Sequence, residues 1–145
     1  MIEAIALQNG WSVQLVSTDE IALLVRGRST DYRIFLTWMR KLEVFHLACS
    51  FEMPIPETRR SGVQRLIGCI NEHLWIGHFD LWMDDGTILF RQSLLLVDGD
   101  VLSNRQCEAM IRSALDICDH YYPALRPALT TESLVETSGS SAQQR

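Results

Sequence analysis

Four consecutive stretches between Trp11 and Phe51 alternate with a period of two, and only the short breaks Ser17-Thr18-Asp19-Glu20, Gly27-Arg28-Ser29-Thr30 and Arg40-Lys41-Leu42 separate them. A parallel crossover needs a dozen or more connecting residues, so breaks this short force neighbouring strands to run antiparallel. Trp11, Val13 and Leu15 lead the first run, and Ile21, Leu23 and Val25 follow in the second. Tyr32, Ile34, Leu36 and Trp38 mark one face of the third; Phe45, Leu47, Cys49 and Phe51 mark one face of the fourth, with His46, Ala48 and Ser50 on the other. A four-stranded meander is the economical reading.

Helical periods flank this meander. Ile2, Ile5 and Ala6 precede Asn9-Gly10, where glycine can take the left-handed conformation that stops a helix. After Pro54-Ile55-Pro56 ends the fourth strand, Val63, Leu66, Ile67, Ile70 and Leu74 recur at helical spacing. Gly62 and Gly68 within that helix suggest close packing against the sheet. Asp85-Gly86 then separates two alternating runs and predicts a two-residue type I′ hairpin. In that register Met83 opposes Ile88, Leu81 opposes Phe90, Trp82 opposes Leu89, Asp80 opposes Arg91 and His78 opposes Ser93. Leu81, Met83, Ile88 and Phe90 would face the core. Ser103-Asn104-Arg105-Gln106 reads as a capping box for a last helix that carries Cys107, Met110, Ile111, Ala114 and Cys118 and stops at Pro123. The order α-β-β-β-β-α-β-β-α is an α+β layout, an antiparallel sheet of five to six strands with helices packed over it. One domain over 1–128 and a disordered polar tail over 129–145 are expected.

With 145 residues and 47% hydrophobic composition the chain can bury a core without staples. A formal net charge of −5 argues against general nucleic-acid binding, which requires a basic footprint. Cys49, Cys69, Cys107 and Cys118 form no CxxC pair or zinc-ligand spacing, so four packed, reduced thiols in a cytoplasmic protein are expected, without metal or cofactor. The apolar run Leu94 to Val97 is far too short to span a bilayer.

The stretch Asn71-Glu72-His73-Leu74-Trp75-Ile76-Gly77-His78-Phe79-Asp80-Leu81-Trp82 passes from a helical to a strand pattern within three residues. Together with Thr30-Asp31-Tyr32-Arg33 and Pro56-Glu57-Thr58-Arg59-Arg60 it resembles the bacterial YbjN-type family, labelled sensory-transduction regulators, over roughly residues 9–124. The resemblance implies a fold like that of the type III secretion chaperones, in which two copies commonly pair and an extended partner segment lies on the surface.

No catalytic constellation emerges. His73 is helical whereas His78 starts a strand that also carries Asp80, unlike ligands held on one helix, and no Gly-x-Ser-x-Gly elbow or phosphate loop is present. The aromatic residues Trp38, Trp75 and Trp82 with Phe79 are the best functional candidates, Trp75 being placed in the core at the helix end. Trp38, His78, Asp80, Trp82 and Arg91 are the expected partner-binding residues, since aromatic and arginine anchors amid polar groups suit interfaces. The expected function is a non-enzymatic protein-binding regulator or chaperone-like adaptor of a bacterial stress or sensory pathway. It would capture an extended segment on sheet edges and apolar grooves, and would pair as a homodimer. The alternative is an enzyme or small-ligand binder with a pocket near His78, Asp80 and Arg91.

Overall fold

The computed structural model describes residues 1–52 and 54–129. Its elements are α1 (Ile2–Asn9), β1 (Ser12–Ser17), β2 (Glu20–Arg26), β3 (Asp31–Met39), β4 (Val44–Phe51), α2 (Arg60–Asn71), β5 (His78–Leu81), β6 (Ile88–Leu95) and α3 (Asn104–Leu129). Short 3-10 turns at Arg40–Leu42 and Glu57–Arg59 lead into β4 and α2. The six strands form one antiparallel sheet in the order β1-β2-β3-β4-β6-β5. The element order and α+β class are those expected from the sequence patterns.

Register sorts the side chains into two faces. The row Val13, Leu23, Ile34, Cys49, Phe90 and Phe79 runs across all six strands on the helix-covered face. Except for Val13 these are fully buried, and they pack in one core with Ile111, Ala114 and Cys118 of α3 and Ile67 of α2. The next rows on the opposite face read Ser12, Leu24, Arg33, Ser50, Leu89, Asp80 and Gln14, Ala22, Phe35, Ala48, Arg91, His78. No helix lies over that face among the described residues.

Polar side chains fasten the layers. Ser103 Oγ accepts the Gln106 amide at 3.0 Å while Gln106 Oε1 accepts the Ser103 amide at 3.1 Å, the reciprocal cap that opens α3. Asp119 of α3 accepts the Tyr32 hydroxyl at 2.8 Å and the Arg28 amide at 3.3 Å, tying the β2–β3 turn to the helix. Burial and this carboxylate raise the Tyr32 pKa, keeping the phenol a neutral donor. Gly10 is left-handed at the end of α1, as its position after Asn9 implied.

Several expectations are corrected. The β5–β6 register is Leu81 opposite Ile88, Phe79 opposite Phe90, Asp80 opposite Leu89 and His78 opposite Arg91. Trp82 and Thr87 close the ladder through a 2.9 Å bond, so four residues turn rather than two. The longer loop is held from outside the hairpin: Ile55 donates to the Gly86 carbonyl at 2.7 Å, and Arg60 donates to the Met83 carbonyl at 2.6 Å. Met83 is consequently exposed, whereas Leu81, Ile88 and Phe90 are core. α2 ends at Asn71, leaving Leu74 outside it, and Gly62 and Gly68 face open space. Pro123 does not stop α3, which continues through Pro127 because Leu125 and Leu129 bury their side chains on its inner face. Each proline removes one backbone bond, and packing outweighs that loss. Cys69 is exposed, unlike the other three thiols. Of the polar tail expected over 129–145, Leu129 is the buried last residue of α3, and residues 130–145 lie outside the described residues.

Candidate functional site

The sheet brings His78, Asp80 and Arg91 together on its uncovered face and adds His46. Arg91 Nε donates to His46 Nε2 at 3.1 Å, and its Nη1 donates to Asp80 Oδ2 at 3.3 Å. Asp80 and Arg91 thus pair diagonally rather than directly across the ladder. An accepting Nε2 requires a neutral imidazole protonated on Nδ1. Burial, reinforced by the charges of Arg91 and His78, holds the His46 pKa below its ordinary value. The cluster bridges β4, β6 and β5, with the Arg91 charge already balanced by Asp80. Trp82 follows β5 and is half exposed. Trp38 stands apart: it pairs with Phe45 on the helix-covered face.

A second feature lies at the sheet edge beside this cluster. β5 pairs only with Ile88–Arg91, so β6 continues four residues beyond its neighbour. Gly77 explains where β5 begins. It is left-handed (φ 69°), and a Cβ there would lie 2.5 Å from both the Arg91 carbonyl oxygen and the Phe90 ring. The chain therefore meets β6 at glycine, with a sharp change of direction at that point.

The overhang presents unpaired backbone. Trp82 N–H bonds Thr87 on the β5 side, while Leu96 N–H donates to the Glu43 carbonyl at 2.8 Å on the β4 side. Alternation along an antiparallel strand then directs the amides and carbonyls of Ser93 and Leu95 toward the β5 side, where no strand stands among the described residues. The outer edge of β5 itself is covered. Asn71 accepts the Phe79 amide at 2.8 Å and donates to the Phe79 carbonyl at 3.1 Å, reproducing with one side chain what a further strand would supply.

Between the open stretch of β6 and α3 runs a groove of about 310 Å³, lined by Ile76, Gln92, Leu94, Ala109 and Met110 among others. Gln92, the buried polar side chain of the core, donates to the Met110 carbonyl at 2.6 Å and ties strand to helix at the groove. Ile76 is 56% exposed, Leu95 66% and Trp75 99%, so Trp75 is not core as its pattern suggested. The turn after α2 carries it away from the sheet. Asn71, Gln92 and the overhang escaped the sequence reading of sites. The one available signal was unequal length: a short run bounded by Gly77 faces an apolar run that continues to Val97.

An open antiparallel sheet layered with helices, bare on one face and unpaired along part of an edge among the described residues, makes this an α+β protein. The chain belongs to the YbjN family, described as "Putative bacterial sensory transduction regulator", whose match covers residues 1–127. A chain of the crystal structure of the ExsC–ExsE complex has a similar fold, with a TM-score of 0.50 and 16% identity over 86% of this chain and 80% of that one. No curated protein matches the sequence. None of the described helices is long and apolar enough to cross a membrane.

Proposed function

We propose that this protein is a non-enzymatic cytoplasmic regulator, a chaperone-like adaptor that takes an extended segment of a partner protein as an added strand on β6. The observation that carries this reading is the coincidence of the unpaired Ser93–Leu95 edge with the apolar groove beside it. Main-chain pairing supplies affinity in strand addition, and pockets for alternate side chains supply specificity. Here one face of the added strand meets Ile76, Leu94, Ala109 and Met110. Trp75 and Trp82 stand exposed in the segments flanking β5 as aromatic contacts for a longer partner. The similar ExsC–ExsE structure is itself a protein–protein complex, which agrees with this class of function. A small-ligand site at His78, Asp80 and Arg91 is less favoured, because Arg91 is already bonded to Asp80 and His46.

Selection from a displayed random peptide library tests the proposal. Recovered sequences should alternate apolar residues, and their binding should weaken at least about tenfold on Ser93→Pro, which removes an outward amide from the edge. Ala109→Trp, which fills the groove from an exposed helix position, should have the same effect. Unchanged binding to both folded variants would eliminate β6 as the site.

A further inference from the structure

We infer that the partner segment added to β6 is acidic on its outward side, with Asp or Glu opposite Ser93 and apolar residues opposite Leu94 and Leu95; this rests on strand addition at the Ser93–Leu95 edge. Register fixes what each side chain of such a strand meets, because residues directly across a sheet and on its diagonals interact.

Inward and outward positions differ in kind. Leu94 lies in the helix-covered row with Trp38 and Phe45, so the residue opposite it enters the groove. No residue lining that groove is charged, and Ile76, Ala109 and Met110 give it an apolar wall. A charge facing inward loses its hydration there and gains no counter-charge. Leu95 belongs to the bare-face row Met39, Val44, Leu95, whose ends are 44% and 66% exposed. An apolar residue opposite Leu95 extends that row.

Ser93 is different, because its open flank is bordered by donors. His78 and Arg91 are directly opposed across β5 and β6. A strand collinear with β5 therefore sets the residue opposite Ser93 two positions along from His78 and on the diagonal from Arg91. His78 is exposed, and the Arg91 side chain is 37% exposed. Arg91 donates to His46 through Nε and to Asp80 through Nη1, which among the described residues leaves the Nη2 hydrogens for a further acceptor. Guanidinium, imidazole N–H and the Ser93 hydroxyl can all donate to a carboxylate at this place, whereas a lysine would set a second cation beside Arg91. Glu20, the acidic member of the row that runs through Thr37 and His46 to Ser93, lies three strands away and accepts the Thr37 hydroxyl at 3.0 Å.

Titration of the full chain with synthetic peptides tests the inference. The probe is an end-capped peptide of alternating valine and threonine in which one outward threonine is replaced in turn by Glu, Gln or Lys. The Glu peptide should bind the wild type at least about fivefold more tightly than the Lys peptide, with Gln between them. His78→Glu, at an exposed position, should shrink that ratio at least about threefold. Arg91→Gln combined with Asp80→Asn, which leaves no charge unpaired, should shrink it as well. Equal binding of the Glu and Lys peptides to the wild type, lost in Ser93→Pro, would overturn the inference and leave strand addition standing. Binding that ignores Ser93→Pro, or no binding by any of the peptides, would overturn both.

Discussion

Gln92 Nε2 donates a 2.6 Å hydrogen bond to the backbone carbonyl of Met110, so a buried amide links the open half of β6 to the second turn of α3. Truncation to alanine should cost about 1–3 kcal/mol in urea unfolding, from a lost bond and a cavity. Gln92→Met keeps the volume and leaves the Met110 carbonyl its intrahelical partner, so it should cost less than half as much. Equal losses would show that the bond itself, not filled space, holds the helix.

Glycines of opposite environment should respond with opposite sign. Gly77→Ala requires an unfavourable backbone conformation and a clash with the Arg91 carbonyl, and is expected to destabilise by more than about 2 kcal/mol. Gly68→Ala adds a methyl group in open space within α2 and should stabilise by about 0.5–1 kcal/mol. Chemical denaturation of the two variants side by side reads the difference.

His46 gives a pH dependence of determined sign. Its folded-state pKa is lowered by burial, then by Arg91 and His78, so the unfolded chain binds more protons below the ordinary histidine value. Its contribution is present above about pH 6.5 and is lost as pH falls from there toward the depressed folded value. Stability measured between pH 8 and 5 should fall less steeply in His46→Gln than in the wild type. Parallel curves would remove His46 from the account.

Thiol titration of the folded protein should find one fast group. Cys69 is exposed, whereas burial raises Cys107 to about 11 and, with Cys49 as hydrogen-bond partner, raises Cys118 well above its ordinary value. Cys69→Ser should abolish the fast phase, and denaturant should release three further equivalents of reagent. Neither chelator nor reductant should shift the melting midpoint, since the cysteines are free.

Local pattern carried far in this chain. The period-two runs with short breaks specified the meander, Gly10 the end of α1, and Ser103 with Gln106 the start of α3, because each depends on neighbours within a few residues. The motif around Asn71 marked the junction correctly without disclosing its use: Asn71 covers the edge of β5 only once folding brings it to Phe79.

What the amino-acid order determined by itself was which segments alternate, which are amphipathic and where backbone must bend. The tertiary structure decided the register of β5 against β6, since Arg60 and Ile55 hold the loop that Asp85-Gly86 alone would have made shorter. It also decided the course of α3 past Pro123, through burial of Leu125 and Leu129, and the placement of Trp75 in solvent. It assembled Arg91 with His46 across 45 residues of sequence and left the end of β6 without a neighbour. These outcomes depend on contacts between distant segments, whose energies exceed local preferences but leave no period in the sequence.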